Sequence, residues 1–189
     1  NLIKSNGDID LIEIPIAESI YIGLITDTGS FKYSSVSSST HFIASKLKEI
    51  GLNHVAIHNN IFDQNSVSKI NLLGYALQKI KLDPNTSLAY LVLSKEELEK
   101  FNFQKGDSEG FVNYCLSIKG VKNAVFLRED KSLIKISLRS KGDVKMNEFS
   151  QKYYGGGGHQ NAAGAAVESN DIDIVTKTLI ENFRSFCSV

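Results

Sequence analysis

The amino-acid sequence predicts an α/β fold, with a small mixed-sheet domain flanked by helices in the C-terminal part of the chain. Two observations favour this class. Apolar residues recur every three or four positions in several segments, as amphipathic helices require, and short apolar runs of strand length lie between them. Hydrophobic residues make up 42% and charged residues 22% of the 189 residues, which is typical of a globular protein with its own core.

The N-terminal part of the chain is predicted to be helical. Pro15 suits the first position of a helix over residues 15–26, and a turn at residues 27–30 ends that helix. Thr40 is predicted to begin a second helix, which Gly51 terminates.

A polar segment divides the chain. Residues 59–70 lack an apolar period and are predicted to be a linker. We therefore expect an N-terminal unit at residues 1–58, the helical end of a truncated α/β domain, and a larger C-terminal domain at residues 71–189.

Helices and strands alternate in the C-terminal domain. Predicted strands lie at residues 88–93, 121–127 and 133–138, the last two joined by a charged turn at residues 128–131. Predicted helices, each with an apolar face or a capping signal, lie at residues 72–80, from Ser94 onward, and at residues 111–118, 146–154 and 172–186. This alternation assigns the α/β class.

The balance of acidic and basic residues indicates which kind of nucleic acid the chain can bind. The chain has 21 basic and 21 acidic residues, so its formal net charge is zero. No global field attracts nucleic acid, and any affinity for it must come from a local site. Binding of long nucleic-acid tracts is therefore disfavoured relative to binding of short ones.

Cysteine usage and hydropathy indicate the compartment. Cys115 and Cys187 lie in apolar, helical-looking stretches without a paired-cysteine motif, which predicts reduced core thiols in a cytoplasmic protein. No apolar run approaches the roughly 18 residues that span a membrane, so neither a membrane segment nor a signal peptide is expected. The chain begins at Asn1 rather than Met, and we expect a processed chain or a piece of a longer one.

A glycine run is the most unusual feature of the sequence. Five of the fourteen glycines lie in residues 155–164, four of them consecutive. Such a run loses much entropy on ordering, so we expect something to approach its backbone closely. A loop of this kind turns successive N–H groups toward one anion, and His159 adds a donor. By itself, the run is equally consistent with a structural turn or a linker.

Arg139 strengthens the anion-binding interpretation. It lies sixteen residues before the run, between Ser137 and Ser140. A guanidinium suits bidentate phosphate contacts, and the neighbouring hydroxyls can assist. Taken alone, Arg139 would be interpreted as a solvated charge at the end of a strand.

Several motifs together resemble a known family. Ser137-Leu138-Arg139-Ser140, a helix, and then GGGGHQNAAG at residues 155–164 are very similar to the C-terminal domain of DHH-family phosphoesterases. The segment IGLITDTGSF at residues 22–31 resembles the last metal-site motif of that family. The segment DSEG at residues 107–110 favours the NrnA-type nanoRNase subfamily. The resemblance extends from about residue 10 to residue 168.

The resemblance implies a metal-dependent reaction. Members of the family hold two divalent metals, usually Mn²⁺, that activate a water for attack on phosphorus. Asp27 inherits the role of a metal ligand, and oxygen ligation suits Mn²⁺ or Mg²⁺. Without the resemblance, Asp27 would be interpreted as a turn residue at a helix end.

The resemblance also implies a substrate-binding role for the C-terminal domain. The residues that would contact the substrate are Arg139, Ser137, Gly156, Gly157, Gly158 and His159, with Asn161 as a weaker candidate. Asp107 and Glu109 match the subfamily pattern, but they are equally well explained as acidic residues near the N-terminus of a helix.

This chain departs from the family in one large respect. The upstream motifs are absent, and no Asp-His-His triplet occurs. His41, His54 and His58 have no ligand spacing to Asp27 and are interpreted as surface or packing residues. One carboxylate cannot assemble a two-metal site, so we expect this chain alone neither to hold the metals nor to catalyse.

The expected function is therefore that of a parent enzyme. We expect a phosphodiesterase or phosphatase that acts on short oligoribonucleotides or 3′-phosphoadenosine 5′-phosphate, with a homodimer as one option for the parent. A cyclic- or linear-dinucleotide phosphodiesterase is the first alternative. A non-catalytic nucleic-acid-binding module is the second, and a purely structural corner built from the glycines and Arg139 is the third.

Overall fold

The structure, a computed structural model, describes residues 12–188. The chain divides into two compact units, Asn1–Asn65 and Ser66–Val189. The described part of the first unit is helical, as the sequence predicts, and contains α1 (Ile14–Asp27), α2 (Ser38–Glu49) and α3 (His54–Phe62). The buried side chains of these helices and their connections form one apolar core: Ala17, Tyr21, Ile25, Leu47, Leu52 and Ile57.

The start of α2 shows how a local hydrogen-bond pattern sets a helix boundary. Thr40 was predicted to begin this helix, but it occupies the third helical position. Ser37 is the N-cap: its Oγ accepts from the backbone N–H of Thr40 at 3.3 Å, and Thr40 Oγ1 accepts from the backbone N–H of Ser37 at 3.1 Å. Both donors would otherwise lack a helical partner, so the helix begins earlier than predicted.

The predicted linker at residues 59–70 is largely helical, so this prediction is wrong in extent. α3 ends at Phe62, and α4 (Val67–Gln78) begins after four intervening residues. Ser66 caps α4 by accepting from the backbone N–H of Lys69 at 3.0 Å. Most side chains of the segment are exposed, so no apolar period marks the two helices. The division between the two units nevertheless falls inside it, after Asn65.

The second unit is built on a six-stranded mixed sheet, which confirms the predicted fold class. The strand order is β1-β2-β3-β4-β6-β5, with β2 and β3 parallel and every other neighbouring pair antiparallel. The strands are β1 (Lys81–Asp83), β2 (Leu88–Leu93), β3 (Asn123–Asp130), β4 (Leu133–Ser140), β5 (Gly157–His159) and β6 (Ala162–Glu168). The helices after α4 are α5 (Lys95–Lys100), α6 (Phe111–Ser117), α7 (Met146–Tyr154) and α8 (Ile172–Cys187).

The β3–β4 hairpin is tighter than predicted. The charged residues 128–130 were assigned to a turn, but they continue β3, and only Lys131 and Ser132 connect the strands. Lys131 adopts a left-handed φ of 60°, which closes this short connection. At its other end, β4 extends to Ser140 rather than ending at residue 138 as predicted. Arg139 therefore lies within a paired strand.

The two faces of the sheet carry separate cores. α7 and α8 cover one face, with Phe149 and Phe183 fully buried against it. α4, α5 and α6 cover the other face above β2 and β3, where Phe111 and Phe126 are buried. Over β6 this second face is open, because Gly164 and Ala166 are exposed.

An ion pair ties α8 to the edge of the sheet. Arg184 donates from Nη2 to Asp83 Oδ1 at 2.8 Å and from Nε to Asp83 Oδ2 at 3.1 Å. The Asp83 side chain is only 3% exposed and also accepts from Thr86 Oγ1 at 2.7 Å. The hydrogen bonds from Arg184 are the main reason why the pKa of Asp83 lies below its ordinary value.

Of the two thiols predicted to lie in the core, one is buried and the other is exposed. Cys115 is a buried free thiol, as predicted, but the prediction of a core position for Cys187 is wrong. Cys187 is the last residue of α8 and is exposed, beyond the part of the helix that packs on the sheet.

Among the helices of residues 12–188, none is long and apolar enough to cross a membrane.

Candidate substrate-binding face

Strand register brings the predicted site residues onto one face of the sheet. Arg139 on β4 pairs with Ala162 on β6, which pairs with His159 on β5. Ser137, Gly164 and Gly157 form the adjacent row. Directly opposed residues of antiparallel strands point to the same side, so all six lie on the face that α4–α6 cover above β2 and β3 and leave open over β6. We call the β4, β6 and β5 part of that surface the open face.

Arg139 stands beside a floor of small residues. The Cα atoms of Arg139 and His159 are about 10 Å apart, two strand spacings of roughly 4.8 Å. Only Ala162 lies between them in the row, and the adjacent row has glycine at both remaining positions. No large side chain therefore rises from the surface between the guanidinium and the imidazole, and a ligand can lie there.

The guanidinium of Arg139 is largely unsatisfied by the protein. Its Nη1 donates to the carbonyl oxygen of Leu138 at 2.9 Å. Of the carboxylates in the described chain, none forms an ion pair with it. Arg139 is half-buried, and a guanidinium carries five N–H donors. Most of its donors are thus available to an anion on the open face.

The glycine run is a strand edge, which corrects its prediction as an anion-binding loop. Gly157–His159 form β5, paired with β6. Successive N–H groups of a strand point to opposite sides, so these residues do not converge on one anion as a nest does. Gly155, with φ of 60°, ends α7 instead.

The central glycines have different reasons to be glycine. A Cβ on Gly156 would collide with the carbonyl oxygen of Gly164 and with Ser150 Oγ, and a Cβ on Gly158 with the backbone of Ala163. Both are required by close packing. A Cβ on Gly157 would meet nothing within 4 Å, and its φ is not left-handed. Gly157 is exposed on the open face, where the missing side chain leaves room for a ligand.

Asn161 and Ser140 serve the connection at the end of β4. Asn161 donates from Nδ2 to Ser140 Oγ and to the carbonyl oxygen of Gly142, each at 2.9 Å. Ser140 Oγ in turn donates to the carbonyl oxygen of Val144 at 2.8 Å. Ser140 is buried on the opposite side of β4 from Arg139. Of the two hydroxyls expected to assist Arg139, only Ser137 shares its face.

The sequence reasoning missed four residues of the open face. Lys135 on β4 and Ala162, Gly164 and Ala166 on β6 share the side of Arg139 and Ser137. The period-two pattern of the strand, Lys135-x-Ser137-x-Arg139, was available as a signal for Lys135. The role of the small residues on β6 required the register between the two strands.

Comparison with known proteins shows the family of the chain. Residues 85–185 match the family model described as the DHHA1 domain. The chain belongs to the DHHA1 family. The open face, from β4 to β6, therefore lies inside the matched DHHA1 domain.

Named relatives agree with the predicted DHH-family, NrnA-like membership. The chain is 31% identical over 155 residues to the bifunctional oligoribonuclease and PAP phosphatase NrnA of Bacillus subtilis, covering 82% of this chain and 48% of the relative. It is 27% identical over 169 residues to the protein of the same name from Thermus thermophilus, covering 89% and 50%. The chain thus spans about half the length of these relatives.

A solved structure supports the fold of the described residues. An exopolyphosphatase-related protein from Bacteroides fragilis superposes with a TM-score of 0.92 at 38% sequence identity. The superposition covers 100% of this chain and 56% of that one.

The first unit of this DHHA1-family chain carries the Asp27 motif. Asp27 is exposed at the end of α1, followed by a turn in which Gly29, Ser30 and Phe31 all have left-handed φ. A Cβ on Gly29 would lie 2.7 Å from the ring of Tyr33, so this turn needs glycine for two reasons.

The described residues do not fit a metal centre by themselves. Over residues 12–188, no group of three or more His, Cys, Asp or Glu side chains could hold a metal ion. The three histidines of the first unit have packing partners: His41 stacks on Phe31, His54 Nδ1 lies 2.8 Å from Lys48 Nζ, and His58 Nε2 lies 3.3 Å from Tyr21 Oη. Metal ligation by Asp27 stays a prediction.

The DSEG segment is a turn before α6. Asp107 Oδ2 accepts from the backbone N–H of Gln104 at 2.7 Å, and Gly110 has φ of 83° at the N-cap of the helix. Glu109 is exposed. The structure gives Asp107 a role in the turn and gives neither carboxylate a place on the open face.

Proposed function

We propose that the DHHA1 domain of this chain is the substrate-binding part of a metal-dependent phosphodiesterase or phosphatase. Its substrates would be short oligoribonucleotides or 3′-phosphoadenosine 5′-phosphate. The names of the Bacillus subtilis and Thermus thermophilus relatives include both activities. We assign the catalytic metals, Mn²⁺ or Mg²⁺, to the intact parent protein and expect this chain alone not to catalyse.

One observation carries the proposal. The guanidinium of Arg139 is half-buried, lacks a carboxylate partner within residues 12–188, and lies beside a surface of alanine and glycine residues. Leaving such a group without a counter-charge costs free energy unless a ligand supplies one. A phosphate oxygen pair matches the guanidinium geometry, and a bidentate contact fixes both position and orientation.

The other residues of the open face complete a binding surface for a small phosphorylated ligand. Ser137 adds a hydroxyl on the side of Arg139, and His159 adds a ring nitrogen from the opposite edge. Gly157 and Gly164 let the ligand approach the backbone. Because the chain is neutral overall, this local site is the source of nucleotide affinity.

We also place the intact protein in the cytoplasm. Cys115 and Cys187 are both free, and Cys187 is exposed. Exposed free thiols persist where the thiol pool is reducing.

Calorimetric titration tests the proposal. The chain is titrated with 3′-phosphoadenosine 5′-phosphate and with a 5′-phosphorylated ribodinucleotide. Arg139→Ala is expected to weaken binding at least about tenfold, since a hydrogen bond to a charged group contributes roughly 1.5–3 kcal/mol. Arg139→Lys is expected to retain part of the affinity, because it keeps the charge and loses the bidentate geometry.

Lys177→Ala is the matched control. Lys177 is an exposed cation on α8, which packs on the other face of the sheet. Equal losses in Arg139→Ala and Lys177→Ala would indicate general charge attraction rather than a site. Nucleotide binding that Arg139→Ala leaves unchanged would contradict the proposal.

A further inference from the structure

The open face has an ordered series of side chains along β4. Lys135, Ser137 and Arg139 alternate with buried residues and share one side of the strand. Their partners on β6 are Ala166, Gly164 and Ala162, respectively. Each polar side chain therefore stands beside a small residue, and the three rows form a continuous shallow track.

The spacing of these rows suits a nucleic-acid backbone. Adjacent rows lie about 6.6 Å apart, since a strand rises roughly 3.3 Å per residue and the side chains alternate. This is close to the separation of successive phosphates in an extended single strand. Arg139 and Lys135 lie four residues apart, about 13 Å, so they match the first and third of three successive phosphates.

Lys135 is held in place by an ion pair and is still accessible to a ligand. Its Nζ lies 2.5 Å from Asp130 Oδ2, and its side chain remains 43% exposed. Arg128 Nη1 lies 3.5 Å from the same carboxylate oxygen, so one acid faces two cations. This cluster carries a net positive charge beside the third row of the track.

The fourth row reverses the sign of the charge. Leu133 on β4 is in register with Glu168 on β6. Glu168 is exposed, and within residues 12–188 no basic side chain forms an ion pair with it. A fourth phosphate on the track would lie beside this carboxylate, and like charges repel.

We propose that the β4–β6 track measures substrate length: Arg139 and Lys135 contact the first and third phosphates of a short oligoribonucleotide, and Glu168 repels a fourth. This inference rests on the proposed function and adds a length limit to it. Lys135 and Glu168 act as specificity-determining residues; no catalytic role is assigned to them.

The test compares affinities for 5′-phosphorylated ribo-di-, tri-, tetra- and pentanucleotides, with an adenosine series to hold the base constant. Titrations followed by ¹H–¹⁵N NMR of the chain measure weak as well as strong binding. The unsubstituted chain is expected to bind the trinucleotide more tightly than the dinucleotide and to gain nothing from a fourth nucleotide. Glu168→Gln is expected to bind the tetranucleotide more tightly, by up to about fivefold, the upper end of the range for one exposed charge interaction.

Lys135→Ala provides the complementary change. It is expected to lose about fivefold in affinity for the trinucleotide, with the dinucleotide unaffected, and to reduce the salt dependence of trinucleotide binding by about one ion. Glu181→Gln and Lys177→Ala, exposed residues of α8, are the matched charge controls. A merely structural role of Lys135 would change all lengths alike.

The outcomes separate the two proposals. Binding that depends on Arg139 but shows the same length profile in Glu168→Gln, Lys135→Ala and the unsubstituted chain would refute the length track and leave the proposed function standing. Affinity that rises steadily through the pentanucleotide would also refute the track. No chemical-shift change with any member of the series would overturn both.

Discussion

The ion pair between Arg184 and Asp83 provides a sharp test of what holds α8 on the sheet. Arg184→Ala removes both hydrogen bonds and leaves the Asp83 carboxylate, 3% exposed, with Thr86 as its remaining side-chain donor. Removing one partner of a fully buried pair costs about 3–5 kcal/mol. Because the Arg184 side chain is 47% exposed, we expect a smaller loss, about 2–3 kcal/mol of unfolding free energy.

Urea denaturation followed by far-UV circular dichroism measures this loss. The chain contains no Trp, so backbone ellipticity is the suitable signal. Lys177→Ala, another cation of α8 that is exposed, is the matched control and is expected to change stability by less than about 0.5 kcal/mol. An Arg184→Ala protein as stable as this control at neutral pH would refute the assignment of a stabilising buried pair.

The pH dependence adds an independent check. The pKa of Asp83 is lowered in the folded state, mainly by the hydrogen bonds from Arg184. A carboxyl with a depressed folded pKa stabilises the protein above its unfolded pKa of about 3.9, and the stabilisation is lost as pH falls through the folded value. The stability difference between the unsubstituted chain and Arg184→Ala should therefore be constant near pH 7 and shrink below about pH 4. A difference that persists unchanged in acid would contradict this account.

Two further predictions concern glycines and thiols. Gly158→Ala should destabilise the chain by about 1–3 kcal/mol in urea denaturation, because its Cβ collides with Ala163, whereas Gly157→Ala should leave stability nearly unchanged and weaken nucleotide binding. The reverse order would contradict the roles given to the two positions. At pH 8, a thiol reagent should modify Cys187 and spare Cys115, since burial raises the pKa of Cys115 to about 11. Equal modification of both thiols in the folded chain would contradict the buried position of Cys115.

Much of the fold could be predicted because local signals agreed with the tertiary structure. α7 occupies the predicted residues, and α5 begins after Ser94 as predicted, with a capping box formed by Ser94 and Glu97. The short edge strands β1 and β5 could not be predicted, since three residues carry no periodic pattern. Their strand character comes from antiparallel pairing with the strand that follows each of them, β2 for β1 and β6 for β5.

Only part of the candidate site could be predicted from the sequence, for a related reason. Arg139, Ser137 and the glycines stood out by residue type. Their arrangement depends on register: Arg139 and His159 share a row only because β6 lies between β4 and β5. Asn161 has a side chain suited to a ligand, but its amide nitrogen is used within the connection after β4.

Locating bound nucleotide on the sheet tests the proposed binding site directly. ¹H–¹⁵N NMR spectra of the chain, recorded during titration with 3′-phosphoadenosine 5′-phosphate, follow the Nε–Hε group of Arg139 and the backbone amides of β4, β5 and β6. If the open face binds the nucleotide, the Arg139 side-chain signal and the Gly157 amide shift together and saturate with one dissociation constant. Shifts confined to the α7–α8 side of the sheet, with the Arg139 signal unmoved, would contradict binding at the open face.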